Sequence, residues 1–211
     1  MIDAYQKPFR DAAKAVAKAS WFGKSWRCHW GLWPDEGQPK AVVFKLLKPH
    51  WTNDTLPAVS SESGLFFSVW VDEESAAKGR LKYNVHALKL RGLKAYALES
   101  RKFAAAFREG FQAERGAWPN VSTDFGPQTL FEGFVEADLP AVESQIVALA
   151  TAFLPIGRQV DELLSQSQKD KARAPRMSGI LSQDLHSKRA ASRKGNVLAV
   201  APCSCASNPL H

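Results

Sequence analysis

Asp72, Glu73 and His86 are the side chains whose types and spacing come nearest to a catalytic set. Adjacent carboxylates can help hold a metal ion that activates water, and a histidine titrating near neutrality can move a proton. A metal-dependent nuclease also needs carboxylates arriving from a neighbouring strand, and Lys82-Tyr83-Asn84 supplies none. The competing reading is a solvated acidic loop followed by an ordinary histidine on a sheet face, shared with Lys82 and Asn84.

A second constellation is the segment Trp21 to Trp33, WFGKSWRCHWGLW, with four tryptophans in thirteen residues. Trp26, Trp30 and Trp33 with Lys24 and Arg27 could stack on bases while the cations meet phosphates. The same residues could line a pocket for a small ligand, or close one end of the core. The loop from Trp118 to Pro127 is a candidate contributor to that surface. A third constellation is basic: Lys188, Arg189, Arg193 and Lys194 could contact phosphates without reading sequence.

Other chemistries lack their motifs. There is no GxSxG nucleophile elbow, no GxxxxGK[ST] and no GxGxxG. Cys28-His29 with His50 or His86, and Cys203 with Cys205, do not have zinc-finger or HExxH spacing. No metal and no cofactor are therefore expected, and Cys28 reads as a small buried apolar residue.

The elements that must position these residues follow from periodicity. Residues 5 to 20 place Tyr5, Phe9, Ala12, Ala13 and Val16 at helical spacing. Trp26 to Leu32 alternates as a strand, and Pro34 to Lys40 has the composition of a turn. Ala41 to Leu47 is a second strand. Gly64 to Val71 is apolar on both faces, which predicts a central, covered strand, and residues 81 to 90 form its antiparallel partner. Ser100 is a candidate cap for a helix over 101 to 114, with Phe103, Phe107 and Phe111 in one stripe. Thr129 to Glu136 is the last strand. Asp138 and Pro140 then suit a helix start, and Pro155 is expected to kink or split that helix near residue 154.

The order α-β-β-β-β-α-β-α predicts an α+β fold, a two-layer domain with a mostly antiparallel sheet and helices on one face. Residues 1–168 are expected to form this single globular domain. Residues 169–211 hold eight of the 28 basic residues and two of the 21 acids, so the tail carries +6 of the net +7. Polar, basic and without a period, that tail is expected to be disordered. The N-terminus lacks the apolar stretch of a secretory leader, and no uninterrupted apolar run approaches the ~20 residues that span a bilayer. A cytoplasmic protein without membrane contact is the expectation, and three cysteines do not form a disulfide framework.

The leading functional expectation is a non-catalytic binding or accessory protein contacting nucleic acid, or another acidic partner, through the tail and the Trp-rich region. A metal-dependent nuclease or other hydrolase is the first alternative, and a small-ligand-binding protein the second.

Overall fold

A computed structural model describes residues 2–33, 40–54, 59 and 63–168. The basic tail with Lys188, Arg189, Arg193 and Lys194, the pair Cys203 and Cys205, and most of the turn from Pro34 lie outside the described residues.

The elements follow the expected order: α1 (Asp3–Lys18), β1 (Arg27–Trp33), β2 (Ala41–Leu47), β3 (Gly64–Asp72), α2 (Glu73–Ala77), β4 (Arg80–Leu88), α3 (Ser100–Phe111), β5 (Thr129–Glu136) and α4 (Val142–Gln166). The five strands form one sheet in the order β1-β2-β3-β4-β5, every pair antiparallel. The fold is α+β, and β3 is indeed the central strand. The one addition is α2, a five-residue helix within what reads as a polar turn.

Alternation along the strands sends one set of side chains towards the helices. Val42, Phe44 and Leu46 of β2, Leu65, Phe67, Val69 and Val71 of β3, and Leu81, Tyr83, Val85 and Ala87 of β4 are all buried. The helices meet them with Phe9 and Val16 of α1, Phe107 and Phe111 of α3, and Ile146, Phe153 and Val160 of α4. Aromatic rings fix much of this packing. Phe67 stacks on Phe153 at 4.6 Å between centroids, and Phe111 on Phe131 at 4.5 Å.

Local signals at helix ends are less faithful. Ser100 is the first residue of α3 rather than its cap, and Glu99 at the cap position makes no capping bond, its carboxylate accepting from Lys102 at 2.9 Å instead. Asp138 does not cap either. Instead Gln145 reaches back, accepting from the Asp138 amide at 3.4 Å and donating to the Glu136 carbonyl at 2.7 Å. Pro155 does not split α4, which runs from Val142 to Gln166 as one helix. The missing amide of Pro155 costs a hydrogen bond, but burial of Phe153, Ile156 and Gly157 on either side holds the helix together. With the turn before it, Leu139–Gln166 is also long and apolar enough, by length and composition, to cross a membrane. Counting uninterrupted apolar runs misses this, because Glu143, Arg158 and Asp161 punctuate the helix. In the fold its apolar stripe packs on α1, α3 and β3.

Gly157 is where α4 comes closest to the aromatic cluster. A Cβ there would lie 2.6 Å from the Trp26 ring and 3.6 Å from Trp51. Trp26 meets Trp51 edge to face at 5.5 Å, so neither ring can move independently. Gly157→Val is expected to lower stability by about 1–3 kcal/mol through overpacking. Gly116→Ala, with nothing within 4 Å of the added carbon, should leave stability within about 0.5 kcal/mol. Urea denaturation of both variants checks the pair.

Candidate functional site

The sheet's second face carries none of the three long helices, and antiparallel register decides which residues share it. His29 pairs with Lys45, Lys45 with Ser68, Ser68 with Asn84, and Asn84 with Glu132. One polar side chain from each strand therefore stands in a single row, roughly 19 Å long at ~4.8 Å per strand. Ser122 continues the row beyond β5 through an antiparallel bridge to Glu132. Two residues along β2 and β3 the chemistry changes. Phe66 and Trp70 flank Ser68, and Val43 lies beside Lys45.

A cleft of about 290 Å³ opens over this row. Trp33, Phe66 and Trp70 supply its aromatic walls, and Lys45, Ser68, Asn84, His86 and Glu132 its polar floor. The floor is deep: Lys45, Ser68 and Asn84 are 9%, 4% and 3% exposed. Val59 helps close the β1 end, packing with Ala41, Val43 and Trp70. Gly31 makes room for it, since a Cβ there would sit 3.2 Å from a Val59 methyl.

The floor is wired in one direction. His86 Nδ1 lies 3.4 Å from the Gln128 carbonyl, which can only accept. The Asn84 side-chain nitrogen, 2.8 Å from Nε2, can only donate, so the neutral ring accepts there and carries its proton on Nδ1, between the Gln128 carbonyl and the Thr129 hydroxyl at 3.3 Å. The Asn84 oxygen is then turned towards Ser68, whose hydroxyl donates to it at 2.5 Å. Burial holds the His86 pKa below its ordinary value and the charge of Lys45 lowers it further, against the Gln128 carbonyl, which raises it. Burial, then Lys45 and Arg27, likewise depress His29. His29 Nε2 is buried with no hydrogen-bond partner among the described residues.

The cleft gathers two of the residues singled out in the sequence, Trp33 and His86, and scatters the others. Trp26 is buried on the helix-covered face against Trp51 and Phe153. Trp30 is half-buried and packs on the same core. Lys24 and Arg27 are exposed, and Arg27 donates to the Trp26 carbonyl at 2.8 Å. The tryptophan segment is thus not one surface, because alternation sends Trp30 and Trp33 to opposite faces. Trp118 is buried against Phe67, Tyr83 and Phe131 on the helix side. Cys28 is half-buried against the core, and burial pushes its thiol up to about 11.

Asp72 caps α2, accepting from the Ser75 amide at 2.7 Å, and pairs with Lys82 at 3.3 Å. Burial opposes ionisation of Asp72, but the Ser75 bonds and Lys82 outweigh it and lower its pKa. Glu73 is exposed on α2. His86 pairs with Phe66, six residues along β3 from Asp72, roughly 20 Å away at ~3.3 Å per residue. The three candidate catalytic residues do not converge. Among the described residues no three His, Cys, Asp or Glu side chains come together as a metal site.

A second polar cluster is internally satisfied. Asp161 of α4 accepts from Lys48, from His50 Nε2 at 2.8 Å and from Trp51 Nε1 at 2.8 Å, fastening the turn Pro49–Trp51 to α4. Burial would raise the Asp161 pKa, but those three donors lower it.

Lys45, Phe66, Ser68, Trp70, Asn84 and Glu132 escaped the sequence analysis as site residues. Their signal is present, however. AVVFKLL and LFFSVWV each hold one polar residue amid apolar neighbours, and KYNVH and TLFEGFV each place one of their polar residues, Asn84 and Glu132, at the position that register aligns. No family model, characterised protein or solved structure matches the chain.

Two outcomes test this geometry. Because the folded-state pKa of His86 is depressed, folding favours its neutral form. Its stabilisation is complete above the unfolded value of ~6.5 and is lost as pH falls below that value. The stability difference between pH 7 and pH 5, from urea unfolding, is expected to shrink in His86→Gln, with His29→Gln removing a second share. Asp72→Ala should cost about 0.5–2 kcal/mol through loss of its cap.

Proposed function

We propose that this protein binds a small molecule in the cleft on the face of its sheet opposite α1, α3 and α4. What supports the reading is the polar row under aromatic walls: buried, directional hydrogen-bonding groups at the base of a concave apolar site. Ligand sites combine apolar walls with a few placed polar groups in this way. Stability alone gives little reason for such a row, since burying Lys45, Ser68 and Asn84 costs more than packing apolar residues there.

The charges around the cleft favour a small ligand over a nucleic-acid strand. Lys82 is already paired with Asp72, and Glu132 stands in the row as a carboxylate. A phosphate backbone wants several unopposed cations along its path. Hydrolysis is the weaker reading too: His86 is held between Asn84 and the Gln128 carbonyl, and Asp72 and Glu73 lie far from it.

Ligand-observed NMR of the 211-residue chain with a set of small aromatic fragments tests the proposal. Fragments are expected to bind at one site, and Trp70→Ala should weaken them at least ~10-fold, as loss of a central aromatic contact does. Binding that is unchanged in both Trp70→Ala and Trp33→Ala would place the ligand elsewhere and overturn the assignment.

A further inference from the structure

The hydrogen bonds under the cleft decide what kind of atom Ser68 offers a guest. Ser68 has a single side-chain hydrogen, and it is committed to the Asn84 oxygen. A hydroxyl oxygen also accepts through its lone pairs, so Ser68 meets the cleft as an acceptor. Asn84 spends its own oxygen on Ser68 and an amide hydrogen on His86 Nε2. Glu132, the next residue along the row, lines the cleft with a carboxylate, which likewise accepts. Lone pairs thus stand at both ends of the stretch from β3 to β5, roughly 10 Å at ~4.8 Å per strand. Lys45 stands opposite Ser68 on β2, outside that stretch.

The walls beside Ser68 are aromatic. Phe66 and Trp70 lie two residues either way along β3 and so share its face. Phe66 is buried, and the His86 ring meets it edge to face at 5.4 Å between centroids, which holds that wall in place. At about 290 Å³ the cleft is at the small end of ligand sites and suits one or two fused rings better than a long chain. A ring lying against these walls covers Ser68, which is already deep, and shuts out the water that would donate to it. A guest that brings no hydrogen then leaves a buried acceptor unpaired, at the full cost of its desolvation. A donor in the plane of the ring removes that cost while the ring faces keep their aromatic contacts.

We infer that the ligand is a small flat heteroaromatic molecule with a ring N–H, its ring against Phe66 and Trp70 and its N–H donating to the Ser68 hydroxyl oxygen. This rests on the small-molecule reading above and names its ligand class. Rings of the same shape with an oxygen or an N-methyl group in that place bring a lone pair or a methyl to an atom whose only hydrogen is spent, and the cleft discriminates against them.

The test uses three probes on the 211-residue chain: indole, benzofuran, which replaces the N–H by oxygen at constant shape, and 1-methylindole, which blocks the nitrogen. Isothermal calorimetry and ligand-observed NMR supply the affinities. Indole is expected to bind at least ~5-fold tighter than benzofuran, the ratio that an unpaired buried acceptor produces. 1-Methylindole should fall with benzofuran. Ser68→Ala should bring indole down to the affinity of benzofuran and leave benzofuran unchanged. The comparison of indole with benzofuran is made on the unaltered chain, so it decides even where Ser68→Ala fails to fold. A preference for indole that survives in folded Ser68→Ala overturns the placement of the donor at Ser68. Benzofuran binding as tightly as indole, or more tightly, overturns the donor class while leaving the cleft as a ligand site. Binding of none of the three at millimolar concentration overturns this inference, and failure of the aromatic fragments as well overturns the cleft itself.

Discussion

Strand register is the constraint on which this structure depends. Side chains alternate between the faces of a sheet, so sliding β3 by one residue against β4 would carry Ser68 into the helix-covered core and expose Phe67 or Val69. The penalty falls on both faces at once. Phe67 would lose its stack on Phe153, and Asn84 would lose the hydroxyl that donates to it. The pairing that seals the core is thus the same pairing that aligns the polar row, and neither face can be rearranged while the other is kept.

The two faces are stabilised by different means. The helix side relies on area and ring packing, with Trp26, Trp51, Phe67, Phe107, Phe111, Phe131 and Phe153 forming a nearly continuous aromatic layer. Asp161, a half-buried carboxylate, ties the turn at Pro49–Trp51 to α4 through three donors, which makes it a fastening rather than a reactive group. The cleft side relies on hydrogen bonds of fixed direction between short side chains. Short side chains on rigid strands lose little rotamer freedom when held in place, and a ligand then meets groups already set in position.

Periodicity made most of the fold readable in the chain. Alternation from Trp26 to Leu32, the short apolar run AVVFKLL, the double-sided apolar run from Leu65 to Val71, and the Phe103, Phe107, Phe111 stripe each imply the element found. What could not be read were interactions between residues distant in sequence. Pro155 reads as a break because its own chemistry is local, while the contacts that keep α4 whole come from α1, α3 and β3. Asp138 reads as a cap because nothing nearby announces that Gln145 will take over. The candidate site was legible in fragments. His86 was visible with its face-mates Lys82 and Asn84, and Trp33 was visible within the tryptophan segment. Joining them to Lys45, Ser68 and Glu132 requires knowing that four separate strands align on one residue each, and register is set by turns and packing across the whole sheet.

The backbone carbonyl of Gln128 accepts from the Ala87 amide at 2.8 Å and shares His86 Nδ1 with the Thr129 hydroxyl. The Asn84 nitrogen donates to the other ring nitrogen and its oxygen faces Ser68, which commits the Ser68 proton. The serine oxygen is left with lone pairs only towards the cavity. A guest atom resting above it must bring its own hydrogen, so the imidazole and amide of β4 set the hydrogen-bonding polarity required one strand away on β3.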